Sequence, residues 1–397
     1  MPRRFDRYIE PLVDDVRFGF YREISNFSER VLAPRVLKLE REKSLVPDDL
    51  IAQMGQLGLF GLNIEERYGG QGGKLTDLVL MGLALAYHAH SMAITPGAAA
   101  SLGSKPLSAF GNDAQKQAHL PDLAAGKRMF AFGLSEPGRG SDAANPETRA
   151  ERDGDAWVIT GEKCWTTNAR WASHLIVHAM TNPEGRNGHR TTCFIVPMDA
   201  KGVDYNEMAG KSVWRMSSTG SVALDHVRVD NSTVLGEVDK GFKVMVDALN
   251  GGRLFIASLA LASIGSALDK VADYAQERVQ FGGKVIGRFQ RVQDVVVDLD
   301  IAAEHYANVI LDQSQRYDRG ELPRESPAKA KIACSRTASH LLVDAMEICG
   351  GVACLDEFGL VRHHEDLFVT RVGEGSNRAL KTQVAAALMP DIKRELQ

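Results

Sequence analysis

Leu134-Ser135-Glu136-Pro137-Gly138-Arg139-Gly140-Ser141-Asp142 and, one strand and turn later, Gly161-Glu162-Lys163-Cys164-Trp165-Thr166-Thr167-Asn168 stand in the part of the chain where apolar residues alternate. Between about Phe130 and Gly236 short alternating runs recur: Trp157-Val158-Ile159-Thr160, His174-Leu175-Ile176-Val177 and Val222-Ala223-Leu224. Turn-rich pieces such as Asp153-Gly154-Asp155 and Asn187-Gly188 separate them, which predicts a compact β-barrel or sandwich.

On both sides of this stretch the period becomes helical. From Asp15 to Arg128 the apolar residues recur as in Leu50, Ile51, Met54, Leu57 and Leu59, with Pro47-Asp48-Asp49 as a helix start and Gly69-Gly70 and Gly72-Gly73 as a loop. A second run, Leu75 to His90, is dense in Leu and Ala and predicts a buried helix. From Lys240 onward the period predicts long helices over Phe242–Gln280, Arg291–Arg319, Pro327–Cys349 and Asn377–Leu388, a bundle. The expected architecture is α+β and multidomain: a helical domain over 1–130, a β-barrel domain over 131–238 and a helical bundle over 239–397.

The chain's 397 residues suit several packed units, and its 47 basic and 51 acidic residues, interspersed, give a net charge of −4. That balance carries no field for nucleic acid or a membrane surface. No membrane span is expected, the longest apolar pieces being of the length of Leu78–Ala86. Cys164, Cys193, Cys334, Cys349 and Cys354 form no CxxC pair and have no histidine at ligand spacing, so neither a metal site nor a disulfide framework is expected. Acidic residues Asp6, Glu10, Asp14 and Asp15 near the start argue against a transit peptide, and a cytoplasmic location is expected.

The Gly-rich loop frees backbone N–H groups for an electron-rich ligand, while Ser135, Ser141 and Thr167 add hydroxyl donors and Trp165 a flat indole. These are the donors and the surface that a flavin ring takes. Singly, each piece reads as ordinary turn chemistry, and Glu374 reads as an acid in a Gly-Glu-Gly-Ser-Asn turn in which Ser376 or Asn377 caps the last helix.

Taken in order, these pieces resemble the acyl-CoA dehydrogenase family. The likeness starts at Gly58-Leu59-Phe60-Gly61-Leu62 and Glu65-Glu66-Arg67-Tyr68-Gly69-Gly70. It continues through Gly111-Asn112-Asp113-Ala114-Gln115-Lys116, the two motifs above, Arg215-Met216-Ser217-Ser218-Thr219 and Asn250-Gly251-Gly252-Arg253. Beyond these come Glu277-Arg278-Val279-Gln280-Phe281-Gly282, Phe289-Gln290, Gly350-Gly351 and Glu374-Gly375-Ser376-Asn377.

The resemblance implies an FAD, with Phe132, Leu134, Ser135, Gly140, Ser141, Trp165, Thr167 and Ser376 at the flavin. Arg278, Gln280, Phe281, Gln290, Glu347, Gly350 and Gly351 would reach the ADP half of an FAD held mainly by a neighbouring subunit, so the protein would be a homo-oligomer, commonly a tetramer. Glu374 would be the base that takes a proton from Cα of an acyl thioester as hydride leaves Cβ for flavin N5. Burial must raise its proton affinity for that task. Ser141, Asn250, Arg253 and Gly375 would face the substrate, acyl-CoA or the thioester of an acyl-carrier protein, and an electron-transfer flavoprotein would take the electrons.

Some members carry the base just before the arginine corresponding to Arg253; here that residue is Gly252. Other departures are Arg139, Asn250, Glu347 in place of a common glutamine, and Gly373, which would enlarge the pocket. The small residues Gly97, Ala98, Ala99 and Ala100 would leave room for a branched or moderately long chain, and the absence of Lys and Arg from Tyr87–Ser104 disfavours a dicarboxylyl group. Three other activities remain open on the same scaffold: an oxidase, whose peroxisomal type the ending Glu395-Leu396-Gln397 disfavours, an enoyl-thioester reductase and a flavin monooxygenase.

Overall fold

The computed structural model describes residues 3–390; Met1-Pro2 and the closing Glu395-Leu396-Gln397 lie outside them. The first part is helical, with α1 (Asp15–Phe27), α2 (Ala33–Glu42), α3 (Asp48–Gln56), α4 (Leu75–Ala86), α5 (His90–Ala98), α6 (Lys105–Phe110) and α7 (Asp113–Ala124). Local chemistry sets several ends. Asp14 accepts from the Arg17 N–H at the start of α1, and Asn112 with Gln115 forms a reciprocal cap on α7. The expected helix from Leu75 to His90 instead ends at Ala86, because Ala89 is extended and α5 starts afresh at His90. A Leu- and Ala-rich composition does not register such a break.

The sheet comprises β1 (Met129–Gly133), β2 (Arg149–Asp153), β3 (Ala156–Thr167), β4 (Ala172–Met180), β5 (Thr191–Pro197), β6 (Val203–Glu207), β7 (Thr219–Asp230) and β8 (Val234–Leu235). Its order is β6-β7-β3-β2-β4-β5-β8, with β1 added parallel to β4. In a flat sheet β3 and β5 would lie about 14 Å apart, three strand spacings. The rings of Trp157 and Phe194 on those strands nevertheless meet at 5.3 Å, so the sheet curls around a core of Ile159, Val177, Val196, Val222 and Val227. It is an open barrel whose end strands β6 and β8 do not pair.

The last part holds α8 (Gly241–Glu277), the hairpin strands β9 (Val279–Gln280) and β10 (Lys284–Val285), α9 (Gln290–Asp318), α10 (Ser326–Cys349), α11 (Leu360–Val372) and α12 (Asn377–Leu388). Two expectations are corrected. The helix expected to reach Gln280 stops at Glu277, since Arg278 turns extended and Val279-Gln280 pairs with Lys284-Val285. α11 falls where no helix was expected, because buried polar residues, His363, Asp366 and Thr370, interrupt its apolar period. α8 also corrects the estimate of apolar length: an 18-residue window of it has mean hydropathy 1.6, enough to cross a membrane, but 94% of that window is buried in the protein. It is the central helix, sharing one core with α4, α9, α10 and α11.

Candidate active site

Glu374 ends up at the centre of a cationic corner made by three helices. α11 stops at Val372, and the chain turns through Glu374 (φ 53) and Gly375 (φ 89), both left-handed, before Ser376 caps α12 by accepting from the Ala379 N–H at 3.2 Å. Ser376 therefore has the capping role. Gly252 on α8 receives the carboxyl: a Cβ there would lie 2.7 Å from Glu374 Cδ. Arg253 Nε donates to the Glu374 carbonyl at 3.4 Å, while its Nη1 donates to Asn250 Oδ1 at 3.1 Å and Gln383 Oε1 at 2.9 Å. Four predicted residues, Glu374, Gly375, Asn250 and Arg253, thus form one cluster.

The residue is half-buried, but Glu374 Oε2 is buried and has no hydrogen-bond partner among the described residues. Burial pushes the carboxyl from 4.5 up to about 7, against the opposing pull of Arg253, Lys331 and Lys105. A carboxylate in this state is a base matched to neutral pH. Beside the cluster an open groove of about 310 Å³ is lined by residues including Phe110, Phe242, Lys243, Asn250 and Arg324.

A second group forms at the open barrel's rim. Glu136 is buried and ties the Gly-rich loop down: its carboxylate accepts from Lys163 Nζ at 2.6 Å, Thr148 N at 3.0 Å and Glu147 N at 2.5 Å. Burial alone would raise this carboxyl, but Lys163 and the hydrogen bonds outweigh it and hold it below the usual carboxylate range. Lys163 Nζ also donates to the Leu134 carbonyl, and Cys164 N to the Ser135 carbonyl at 2.8 Å. Above that frame Ser141 and Gly140 are exposed, with nothing within 4 Å of a Cβ built on Gly140, and Ser135 and Thr167 are half-exposed. A register shift between Lys163 and Thr166 in the β3–β7 pairing throws Trp165 outward at φ 57 and 65% exposure. Phe132 lies buried in β1, and Thr166 Oγ1 is buried without a partner among the described residues. Free hydroxyls, an orphaned buried one, a bare glycine and an open indole fit the flat, acceptor-rich ring of a flavin.

The third set lies on the surface. The hairpin with Arg278, Gln280 and Phe281, the start of α9 at Gln290 and the end of α10 at Glu347, Gly350 and Gly351 are all exposed. They are gathered by a small core that Ile286, Val292, Phe289 and Ile348 share. Among the described residues no hydrogen bond joins them to the other two groups.

Sequence reasoning missed Lys331, fully buried on α10, although the spacing Ala328, Lys331, Cys334, Ala338 on a buried stripe marks it. It also took the space beside Gly97 as room for an acyl chain. A Cβ on Gly97 would stand 2.1 Å from Phe255 Cζ, so that space is already filled by the ring of Phe255. Arg139 is spent on surface contacts with Asp142 and Glu147.

A helical domain, an open barrel and a helical bundle, with a half-buried glutamate against a central helix and a hydroxyl-rich loop that fits a flavin, point to a flavoenzyme of the acyl-thioester class. Family models for the acyl-CoA dehydrogenase N-terminal, middle and C-terminal domains match residues 19–127, 131–227 and 239–389. A protein of Bacillus subtilis (strain 168) bearing the name "Probable acyl-CoA dehydrogenase YngJ" is 35% identical over 368 residues, 92% of this chain and 96% of its own. Butyryl-CoA dehydrogenase of Megasphaera elsdenii superposes with a TM-score of 0.91 at 31% identity, covering 95% of this chain and 99% of that one. A glutaryl-CoA dehydrogenase of Mycobacterium smegmatis, solved in complex with FADH2, gives 0.90 at 26% identity, covering 98% and 97%. The chain belongs to the acyl-CoA dehydrogenase family, whose members are flavin oxidoreductases acting on CH–CH bonds.

Proposed function

We propose that this protein is an FAD-dependent acyl-CoA dehydrogenase in which Glu374 takes the proton from Cα of the thioester. The observation that carries the reading is the buried, unpartnered Oε2 of Glu374, whose proton affinity is raised to about 7. Ser135, Gly140, Ser141, Trp165 and Thr167 hold the flavin ring, and FAD, when bound, supplies the hydride acceptor. The groove beside Asn250 takes the pantetheine arm, with Lys243 and Arg324 meeting the phosphates of CoA. The Glu374 backbone N–H serves the charge that develops on the thioester oxygen, and Arg253 keeps that turn in place.

A short acyl chain is the substrate we favour, supported by the likeness to a butyryl-CoA dehydrogenase and by the space that Phe255 fills beside Gly97. Phe281 is 74% exposed among Arg278, Gln280 and Gln290, as suits a surface that meets the ADP half of a partner's FAD in a homo-oligomer. An electron-transfer flavoprotein is the acceptor. The test is anaerobic bleaching of the yellow protein by a panel of acyl-CoAs: Glu374→Gln retains FAD and loses bleaching, and full bleaching in that variant would overturn the assignment.

A further inference from the structure

Lys331 is a charged residue on the buried face of α10, among Ala328, Cys334, Ser335, Ala338 and Leu342, and it is 0% exposed. An ammonium in such a place is costly unless it is partnered. Its Nζ donates to the Gly375 carbonyl at 2.5 Å. The preceding carbonyl, that of Glu374, accepts from Arg253 Nε at 3.4 Å. Two cations, one from α8 and one from α10, therefore grip two successive carbonyls of one turn.

That turn needs gripping. Glu374 is left-handed at φ 53, a conformation that L-residues rarely adopt, and such backbones persist where their surroundings over-determine them. Ser376 and Asn377 anchor the following residues: Ser376 caps α12, and Asn377 Nδ2 donates to Ser335 Oγ on α10 at 2.9 Å. We propose that Lys331 is a positioning residue for proton abstraction, its ammonium holding the Gly375 carbonyl so that the Glu374 carboxylate is aimed along the Gly252 face of α8. The inference rests on the reading of Glu374 as the base.

Lys331 also contributes charge. The groups that face Glu374 are Arg253 from α8, Lys105 from α6 and Lys331 from α10, with the neutral Gln383 of α12 on Arg253, and Arg324 opposing Arg253. Burial brings Lys331 down to about 7 while Glu374 pulls it back up, so the two groups titrate in one range and each favours the charged form of the other.

The test compares Lys331→Met, nearly isosteric and uncharged, with Lys331→Arg, which keeps a cationic donor. In each purified yellow protein, thermal unfolding and bound FAD are measured, and the pH midpoint of anaerobic bleaching is set beside an infrared titration of the Glu374 carboxyl, identified by its absence in Glu374→Gln. The Met variant is expected to bleach more slowly and to move both midpoints upward by roughly one pH unit, with the Arg variant close to wild type. A folded Met variant with both midpoints unmoved would overturn the proposal, because a merely structural lysine changes rate and stability at every pH alike. Should the Met variant fail to fold, Lys331→Gln is read by the same criterion. If Glu374→Gln still bleaches, the base assignment fails; if it is dead and the lysine variants leave the midpoints in place, only the clamp fails.

Discussion

Gly252 and Glu374 occupy one point in space from opposite sides: a Cβ on Gly252 would lie 2.7 Å from Cδ of Glu374 and 2.8 and 2.9 Å from its two oxygens. The carboxyl is seated where α8 offers bare backbone. Gly252→Ala is therefore expected to push the carboxyl away and, since misplacement by about an ångström costs on the order of 100-fold, to lower the bleaching rate by about that factor while FAD is retained. The residue proposed as the base and the position that the resemblance offers as its alternative converge here. Gly252→Glu alone is expected to be inactive, and Gly252→Glu with Glu374→Gly to recover part of the rate, as stopped-flow bleaching would record.

Because burial raises Glu374 from 4.5 to about 7, pH acts on rate and stability in opposite senses. The base works when deprotonated, so bleaching by the free enzyme is expected to fall as pH drops below about 7. For stability, a group whose folded value is raised contributes fully below its unfolded value, near 4.5, and that contribution is lost as pH rises through about 7. Wild type should thus lose stability relative to Glu374→Gln between pH 5 and 8. Paired thermal melts across that window check the sign; a constant gap would contradict it.

Much of this was legible from residue pattern. Alternation between Phe130 and Gly236 marked the barrel because one face of each strand meets the shared core, and Asp48, Leu75 and Asn377 open helices in the structure as well. The residues expected at the base converge around Glu374, since local motifs there are read by neighbouring helices. What was hidden depended on distant packing. Periodicity misses α11 because His363 and Asp366 on its inner face satisfy buried partners: Ser263 Oγ lies 3.1 Å from His363, and Trp214 N donates to Asp366. The spacing Ala328, Lys331, Cys334 and Ala338 marks Lys331 as enclosed, but only the packing of α10 shows that it meets the Gly375 carbonyl, and the space over Gly97 could not be judged without knowing that Phe255, far away in sequence, fills it.

The Lys163–Glu136 ion pair, at 0% and 2% side-chain exposure, sets the shape of the loop assigned to the flavin. Removing one partner leaves a buried charge uncompensated, at a typical cost of about 3–5 kcal/mol, whereas removing both is far milder. Lys163→Met is expected to unfold at markedly lower denaturant and to purify with little FAD. Lys163→Met with Glu136→Gln should regain most of the stability but little of the FAD, since the loop then lacks its tie from Glu136 to Lys163. Denaturant titrations and the flavin-to-protein absorbance ratio separate the two effects.

Phe255 stands one helical turn beyond Gly252 on α8, and its ring lies in a notch made by two glycines: a Cβ would come within 2.1 Å of it from Gly97 on α5 and 2.8 Å from Gly82 on α4. Residues three apart on a helix are neighbours on its surface, so an acyl chain running down α8 from Glu374 meets this ring within a few carbons. Phe255→Leu is expected to shift the bleaching profile toward longer acyl-CoAs, with kcat/KM rising for six- and eight-carbon chains relative to four. Phe255→Ala should extend the shift further while losing about 3–5 kcal/mol of stability to the cavity. Gly373→Tyr, at the mouth of the same turn, is the converse change: it should narrow the profile toward shorter or unbranched chains. An identical chain-length profile in the Leu variant, folded and yellow, would mean that the acyl group takes another path.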